Sequence, residues 1–382
     1  MAPTEHFKTV AGVMVNARTV IAEDLRPYVP KIDAEGWYPA SFLHRLGAVG
    51  GFGLAVPMEY GGTGQGLAGT IHVMEEVSKD CLSTGFCVWC QTVCGWYVQN
   101  SPNEFLKETL LPKIARGERL AGTGMSNPMK HFAGIEKIRV NAVRRPGGYS
   151  VSGALPWVSN VRADHSFAFV AKIADEEAYL MAVIPGDQPG LTLGDGGHFI
   201  ALEGSSTHNA VFKDMFLPEE FVLAAPCKEY IAKIRPGFVL AQSGFGLGLT
   251  ASCIELMRRS NDRVGHVNRF LDDGADEIEA DLQAARCRTY ALAEEIGCGE
   301  TTLGPEITRE AIQCRILASE LSLRASQAAM LHTGAAGYRV GAAAERKLRE
   351  AYFVAIVTPA LKHLKKLLHD WPGTQRGQEI TN

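Results

Sequence analysis

Charge of one sign is what this 382-residue chain lacks first: 38 Lys and Arg stand against 42 Asp and Glu, leaving a net charge of −4. So even a balance argues against any general attraction to phosphate backbones, and nucleic acid is not an expected partner. Cysteine is sparse, with nine in the chain. An odd number would leave one thiol unpaired in an oxidised secreted protein, so the thiols are read as reduced. The opening residues MAPTEHFKTV hold no basic patch followed by an apolar core, which leaves no visible secretory or transit signal and makes a cytoplasmic location the expectation.

Long apolar runs are missing as well. Cys81 to Asn103 and Pro236 to Ile254 carry no charge, but the first contains Gln91, Gln99, Asn100 and Pro102, and the second contains Pro236, Gln242 and several Ser and Gly. Neither offers the roughly 20 predominantly apolar residues of a membrane span, so both are read as buried helices and no membrane insertion is expected. No H-E-x-x-H, G-x-S-x-G or G-x-x-x-x-G-K-[ST] occurs, which removes the anchoring residues of zinc hydrolases, α/β-hydrolases and P-loop proteins. Gly244-Phe245-Gly246-Leu247-Gly248 lies in a helix-like stretch and is read as close helix packing rather than a dinucleotide loop.

What is present is enough chain for about two or three domains, with 46% hydrophobic and 21% charged residues, as in a folded globular protein. From Thr9 to about Glu118 the apolar positions recur at helical spacing, broken by a loop at Val56-Pro57-Met58-Glu59-Tyr60-Gly61-Gly62-Thr63-Gly64. Between about Leu120 and Ala225 short runs rich in β-branched and aromatic residues take over, such as Ile138 to Val143 and Ser166 to Ala171. From Tyr230 onward the spacing is helical again, with Ala275 to Gly297 and Glu306 to His332 as long amphipathic stretches. The predicted organisation is a helical domain over 1–118, a β-domain over 119–226 and a helical bundle over 227–382.

Cys87, Cys90 and Cys94 fall at i, i+3 and i+7 in an apolar stretch. That spacing puts them on one helical face without a fourth ligand, so they are read as core and no metal site is expected.

Several segments, taken in order, resemble one family. The loop Val56 to Gly64, the segment Leu111-Pro112-Lys113-Ile114-Ala115-Arg116-Gly117-Glu118 and the triplet Ser126-Asn127-Pro128 are similar to the L-P-E-E-Y-G-G-x-G, L-P-x-x-x-x-G-E and T-E-P stretches of acyl-CoA dehydrogenases. Gly153-Ala154-Leu155-Pro156-Trp157-Val158-Ser159-Asn160 is similar to their G-x-K-x-W-I-T-N. Ser206 to Asp214 with Leu217-Pro218 resembles the strand that closes their β-domain. Near the C-terminus, Gly334-x-x-Gly337-Tyr338 followed by Glu345 to Ala351 resembles their G-G-x-G-[FY] and E-[RK]-x-x-R-D-A.

The resemblance implies a mainly α fold with a central β-domain: an N-terminal helical domain, a β-barrel or sandwich, and a C-terminal four-helix bundle. It implies FAD, with FMN as the alternative, bound between the β-domain and the C-terminal helices of a homodimer or homotetramer. Trp157 would face the flavin ring, Ser159 its N5 edge, and Ser126, Arg263, Gly334 and Gly337 would contribute to the cofactor site. The substrate implied is a small molecule such as an acyl-CoA, and the partner an electron-accepting flavoprotein.

The catalytic residues depart from the family. Its glutamate base falls on Thr358, counted along the ungapped C-terminal match, and a threonine hydroxyl cannot serve as that base unaided. The alternative glutamate position of some members falls near Pro236. Glu345 and Glu350 match structural acids and are expected to be ion-paired. Met129-Lys130-His131-Phe132-Ala133 replaces a glycine-rich stretch, and Pro359 to Leu364 replaces G-T-x-x-x-Q.

These departures leave three expectations. One is α,β-dehydrogenation of an acyl thioester with a shifted acid. A second is a two-component monooxygenase that takes reduced flavin from a flavin reductase and uses O2, with His131, His332 or His363 as acid or base. A third is a binding protein that has lost catalysis.

Overall fold

The Thr9 hydroxyl accepts a hydrogen bond from the Gly12 amide at 3.2 Å and so caps helix α1 (Val10–Val20), which runs on through tighter and wider turns to Tyr28. The protein is described here by a computed structural model over residues 9–299 and 304–372. Short helices α2 (Val29–Glu35) and α3 (Ala40–Ala48) lead to the Pro57 to Gly64 loop. Then come α4 (Gly66–Asp80) and α5 (Leu82–Asn100), followed by α6 (Glu104–Thr109) and α7 (Leu111–Ala115). Almost every residue of α5 is buried, which explains its lack of charge.

Cys87, Cys90 and Cys94 lie within that helix, and burial pushes their thiols up, so they stay protonated and pack as small apolar groups. Among the described residues no group of acids, histidines and cysteines could hold a metal ion.

Among the described residues, all strands fall between Ala121 and Ala224: β1 (Ala121–Thr123), β2 (Val140–Arg145), β3 (Gly148–Val158), β4 (Ser166–Ile173), β5 (Tyr179–Pro185), β6 (Leu191–Asp195), β7 (His208–Pro218) and β8 (Val222–Ala224). They form one sheet in the order β6-β7-β3-β2-β4-β5-β8, with β1 added parallel to β4. A short helix, α8 (Ser126–Phe132), interrupts this segment, a feature that strand spacing alone did not predict.

Alternation along β4 and β5 sets how the sheet meets the helices. Phe167, Phe169, Leu180 and Ile184 fill the sheet's own core, while Ala168, Val170, Met181 and Val183 face the helical core. Buried Gln91 on α5 ties the two layers: its Oε1 accepts from the Ala121 amide at 2.6 Å, and its Nε2 donates to the Ile114 and Arg119 carbonyls at 3.0 and 2.9 Å.

The C-terminal part is helical: α9 (Lys228–Ala241), α10 (Ser243–Asn268), α11 (Ala275–Ile296), α12 (Pro305–Thr333), α13 (Ala343–Ile356) and α14 (Leu361–His369). The glycines at 246 and 248 do what the sequence reading expected of them. A Cβ at 246 would lie 2.2 Å from the Ala318 carbonyl, and one at 248 would lie 2.3 Å from that of Glu75, so α10 packs backbone to backbone on α12 and α4. The uncharged stretch of α9 and α10 is long and apolar enough to be a candidate span by composition, but 89% of it is buried inside the protein. Glu345 pairs with Arg349, and Glu350 with Lys347 at 2.9 Å, as expected of structural acids.

Candidate functional site

Two residues beyond α13, the chain reaches Thr358 at the junction with α14. Its hydroxyl lies 2.9 Å from that of Ser126, the first residue of α8. Its carbonyl accepts from Gln242 Nε2 at 3.0 Å, and Gln242 Oε1 accepts in turn from Arg315 Nε at 3.0 Å. Arg315 has no solvent exposure and also donates to Ser319 Oγ and the Val354 carbonyl. Burial pulls its pKa down to about 9, which still leaves it charged near neutral pH. Thr358 therefore sits at the end of a fixed polar chain running from α12 through the start of α10. Among the described residues, no carboxylate bonds to Thr358, Ser126 or Gln242.

The other wall comes from the end of β3, against which α8 packs. Trp157 is 46% exposed, and the Lys130 ammonium lies 5.6 Å from its ring centroid. Ser159 exchanges backbone hydrogen bonds with Thr123 at 3.2 and 3.3 Å, and its Oγ accepts from Thr207 at 3.0 Å. Asn160 then turns the chain at φ 56°, held by Tyr38 Oη at 2.5 Å and by its own bond to the Ala121 carbonyl at 2.7 Å.

The half-exposed indole is a large apolar face left open at the junction of two layers. The amides of residues 125–127 at the start of α8 lie outside that helix's own ladder. An aromatic platform with nearby donors fits the ring of a flavin. Met129 and Phe132, where the family has small residues, pack inward instead: Met129 is buried and Phe132 stacks edge-on against Tyr179 at 5.3 Å.

The three candidate histidines separate clearly. His131 is engaged at both nitrogens, by the Glu136 carbonyl at 3.2 Å and Tyr179 Oη at 2.9 Å. His332 is likewise held by Asn261 and the Asp273 carbonyl, far along α10. His363, five residues after Thr358, is 5% exposed, and its buried Nδ1 has no hydrogen-bond partner. Burial first, then the charges of Arg235, Lys366 and Lys130, push its pKa down to about 4, so the imidazole is neutral near pH 7.

Ser126, Trp157, Ser159 and Thr358 thus gather where the sheet meets the C-terminal helices. Arg263, Gly334 and Gly337 do not join them in one chain. Gln242 precedes α10 and Arg263 lies near its far end, a helical length of about 30 Å. There the Asn268 amide donates to the His332 carbonyl at 3.1 Å, which brings the Gly334 turn to the same end. Gly334 adopts φ 57°, and a Cβ on Gly337 would strike Thr333 Oγ1. Exposed Arg263 is accompanied by exposed Val267, Phe270, Leu331, Tyr338 and Val340.

Sequence reasoning missed Lys130, Arg235, Gln242, Arg315 and Tyr179. The available signal was a lone polar or charged residue in an apolar stretch, as at Gln242 and at Cys314-Arg315-Ile316-Leu317.

The family description "Acyl-CoA dehydrogenase, N-terminal domain" matches residues 13–118. Isovaleryl-CoA dehydrogenase of Solanum tuberosum is 25% identical over 352 residues, covering 86% of this chain and 82% of the relative. The human mitochondrial short-chain specific acyl-CoA dehydrogenase is 24% identical over 362 residues, covering 90% and 85%. Among solved structures, butyryl-CoA dehydrogenase from Megasphaera elsdenii superposes with a TM-score of 0.84 over 96% of this chain and 98% of that one, at 19% identity, a likeness of fold. The ordered motifs, the match of residues 13–118 and the shared fold agree: the chain is similar to the acyl-CoA dehydrogenase superfamily along most of its length and has its architecture.

Proposed function

We propose that the protein is a flavin-dependent oxidoreductase that removes hydrogen from an acyl-CoA or a similar acyl thioester. The observation that supports this most is the junction itself, where α8 brings the Ser126–Thr358 hydroxyl pair at its first residue together with Lys130, which lies over the half-exposed indole at the end of β3. Bound FAD would supply the two-electron acceptor. Of two hydroxyls bonded to each other, one donates to the other, and the second keeps a hydrogen to offer a substrate oxygen. As an α-proton leaves a thioester, its carbonyl oxygen gathers negative charge, and a hydroxyl donor at that atom stabilises it. Neutral His363, five residues after Thr358 and with an unpartnered Nδ1, is the proton acceptor assigned in this reading to stand in for the missing glutamate. At the far end of α10, a second copy of the chain would cover Arg263, Gly334 and the exposed apolar residues beside them.

A second reading is favoured by the lack of a carboxylate at Thr358: hydroxylation of a substrate with reduced flavin and O2, which requires no acid there. One experiment separates the two. The FAD-loaded protein is mixed without oxygen with acyl-CoAs of several chain lengths, and oxidised flavin absorbance is followed. Bleaching by any of them supports dehydrogenation. If none bleaches it, and the chemically reduced protein instead hydroxylates substrate in air, the dehydrogenase reading falls.

A further inference from the structure

A cavity of about 1070 Å³ opens on the outer face of α9, between the end of α5, the start of α12 and Trp371. Small-molecule pockets run to about 1,000 Å³, so this space is large enough for a whole organic ligand. Tyr60 and Trp371 give it flat apolar walls. Three of its neutral polar residues are already engaged: Gln99 Nε2 donates to the Ala55 carbonyl at 3.1 Å, Asn100 to that of Trp96 at 3.0 Å, and Ser101 to that of Leu223 at 2.5 Å.

Its cations are a different matter. Lys107 is paired with Glu104 at 2.9 Å. Arg235 and Lys233 are partly buried on the lining, and neither has a hydrogen bond or an ion pair among the described residues. The acids of the lining, Glu59 and Glu229, are exposed, and neither is ion-paired with Arg235 or Lys233. The charge of Arg235 acts on buried His363 together with those of Lys366 and Lys130; Lys366 is paired with Asp370 and Lys130 lies 3.9 Å from Glu136, whereas Arg235 has no such partner among the described residues. Burial lowers the pKa of Arg235, with nothing opposing it. A cation held away from water without a counter-charge destabilises the folded chain, and such a charge in a concave site marks a place built for a ligand.

We propose that this cavity binds a small organic acid, its carboxylate or phosphate oxyanion seated on Arg235 and Lys233 and its apolar body lying against Tyr60 and Trp371. The inference concerns binding alone and does not rest on which reaction the flavin site runs.

The test is calorimetric titration of the full chain with 4-phenylbutyrate, phenyl phosphate and the uncharged 4-phenylbutyramide, repeated on Arg235→Gln and Lys233→Gln. At least one anion should bind, one per chain, about 10-fold or more tighter than the amide, because a charge-assisted bond to guanidinium is lost in the amide. Arg235→Gln should lose about the same factor, and Lys233→Gln a smaller one. Tighter binding of phenylbutyrate identifies a carboxylic acid as the ligand, and tighter binding of phenyl phosphate a phosphate ester. The ligand-free Arg235→Gln protein should melt at or above the wild-type temperature, since it sheds an unbalanced charge. The proposal is overturned by absence of binding at millimolar concentration, by equal binding of the amide, or by an Arg235→Gln protein that binds as before. A drop in its melting temperature of more than about 5 °C would make Arg235 a structural cation and end the proposal equally.

Discussion

The hydroxyls of Ser126 and Thr358 meet at 2.9 Å although 232 positions of chain separate them. Their meeting point joins the start of α8 to the turn between α13 and α14, the line along which the sheet faces the C-terminal helices. Two neutral hydroxyls occupy the place where the superfamily resemblance calls for an acid beside the flavin.

Thr358→Glu restores that acid next to Ser126. General base catalysis contributes about 10²–10⁴-fold, so anaerobic reduction of the bound flavin by an acyl-CoA should accelerate by about 10²-fold or more. Stopped-flow absorbance reads the rate. A variant that binds flavin normally yet is no faster would show that the thioester does not lie against residue 358.

Arg315 is the anchor of the chain that holds Thr358. Replacing it by Leu leaves Gln242 Oε1 and the Val354 carbonyl buried without their donor. Leaving a buried acceptor without its partner costs about 1–3 kcal/mol, and chemical denaturation of Arg315→Leu should show a loss of at least that order. A loss below about 1 kcal/mol would mean that the network is not needed to hold the junction.

His363 predicts a pH dependence. Its folded pKa, about 4, lies below the ordinary value of 6.5, so the unfolded chain takes up the proton first as pH falls. The stability it contributes is complete above about pH 6.5 and is lost as pH drops towards 4, by at most about 3 kcal/mol. His72 and His165 are shifted in the same direction by burial, so the measurement is a difference. Denaturation midpoints of His363→Leu should vary less between pH 7 and pH 4.5 than those of the wild type, and equal variation would contradict a buried neutral imidazole.

Much of the fold was legible because it rests on periodicity. The even apolar coat of α5 and the alternation along β4 follow from which faces are buried, and the glycines at 246 and 248 from how closely α10 approaches its neighbours. The α8 helix was hidden because seven residues beginning Ser-Asn-Pro carry too little periodic signal against the strands around them. At the junction, Ser126, Trp157, Ser159 and Thr358 were singled out through motif order. Gln242 and Arg315 were not, because a buried polar group is defined by its partners, and those partners lie 73 and 39 positions away. His131 was one of three histidines considered as acid or base, and Tyr179, which occupies its ring, comes from a strand 48 residues on.

Flavin binding at the Trp157 face is the most direct measurement. FAD titrated into the purified chain, followed by quenching of flavin fluorescence, should saturate at one per chain, and Trp157→Ala should weaken binding by about 10-fold or more through loss of the stacked face. A wild-type chain that takes up neither FAD nor FMN, or a Trp157→Ala chain that binds flavin as tightly as the wild type, would contradict a flavin site at this junction.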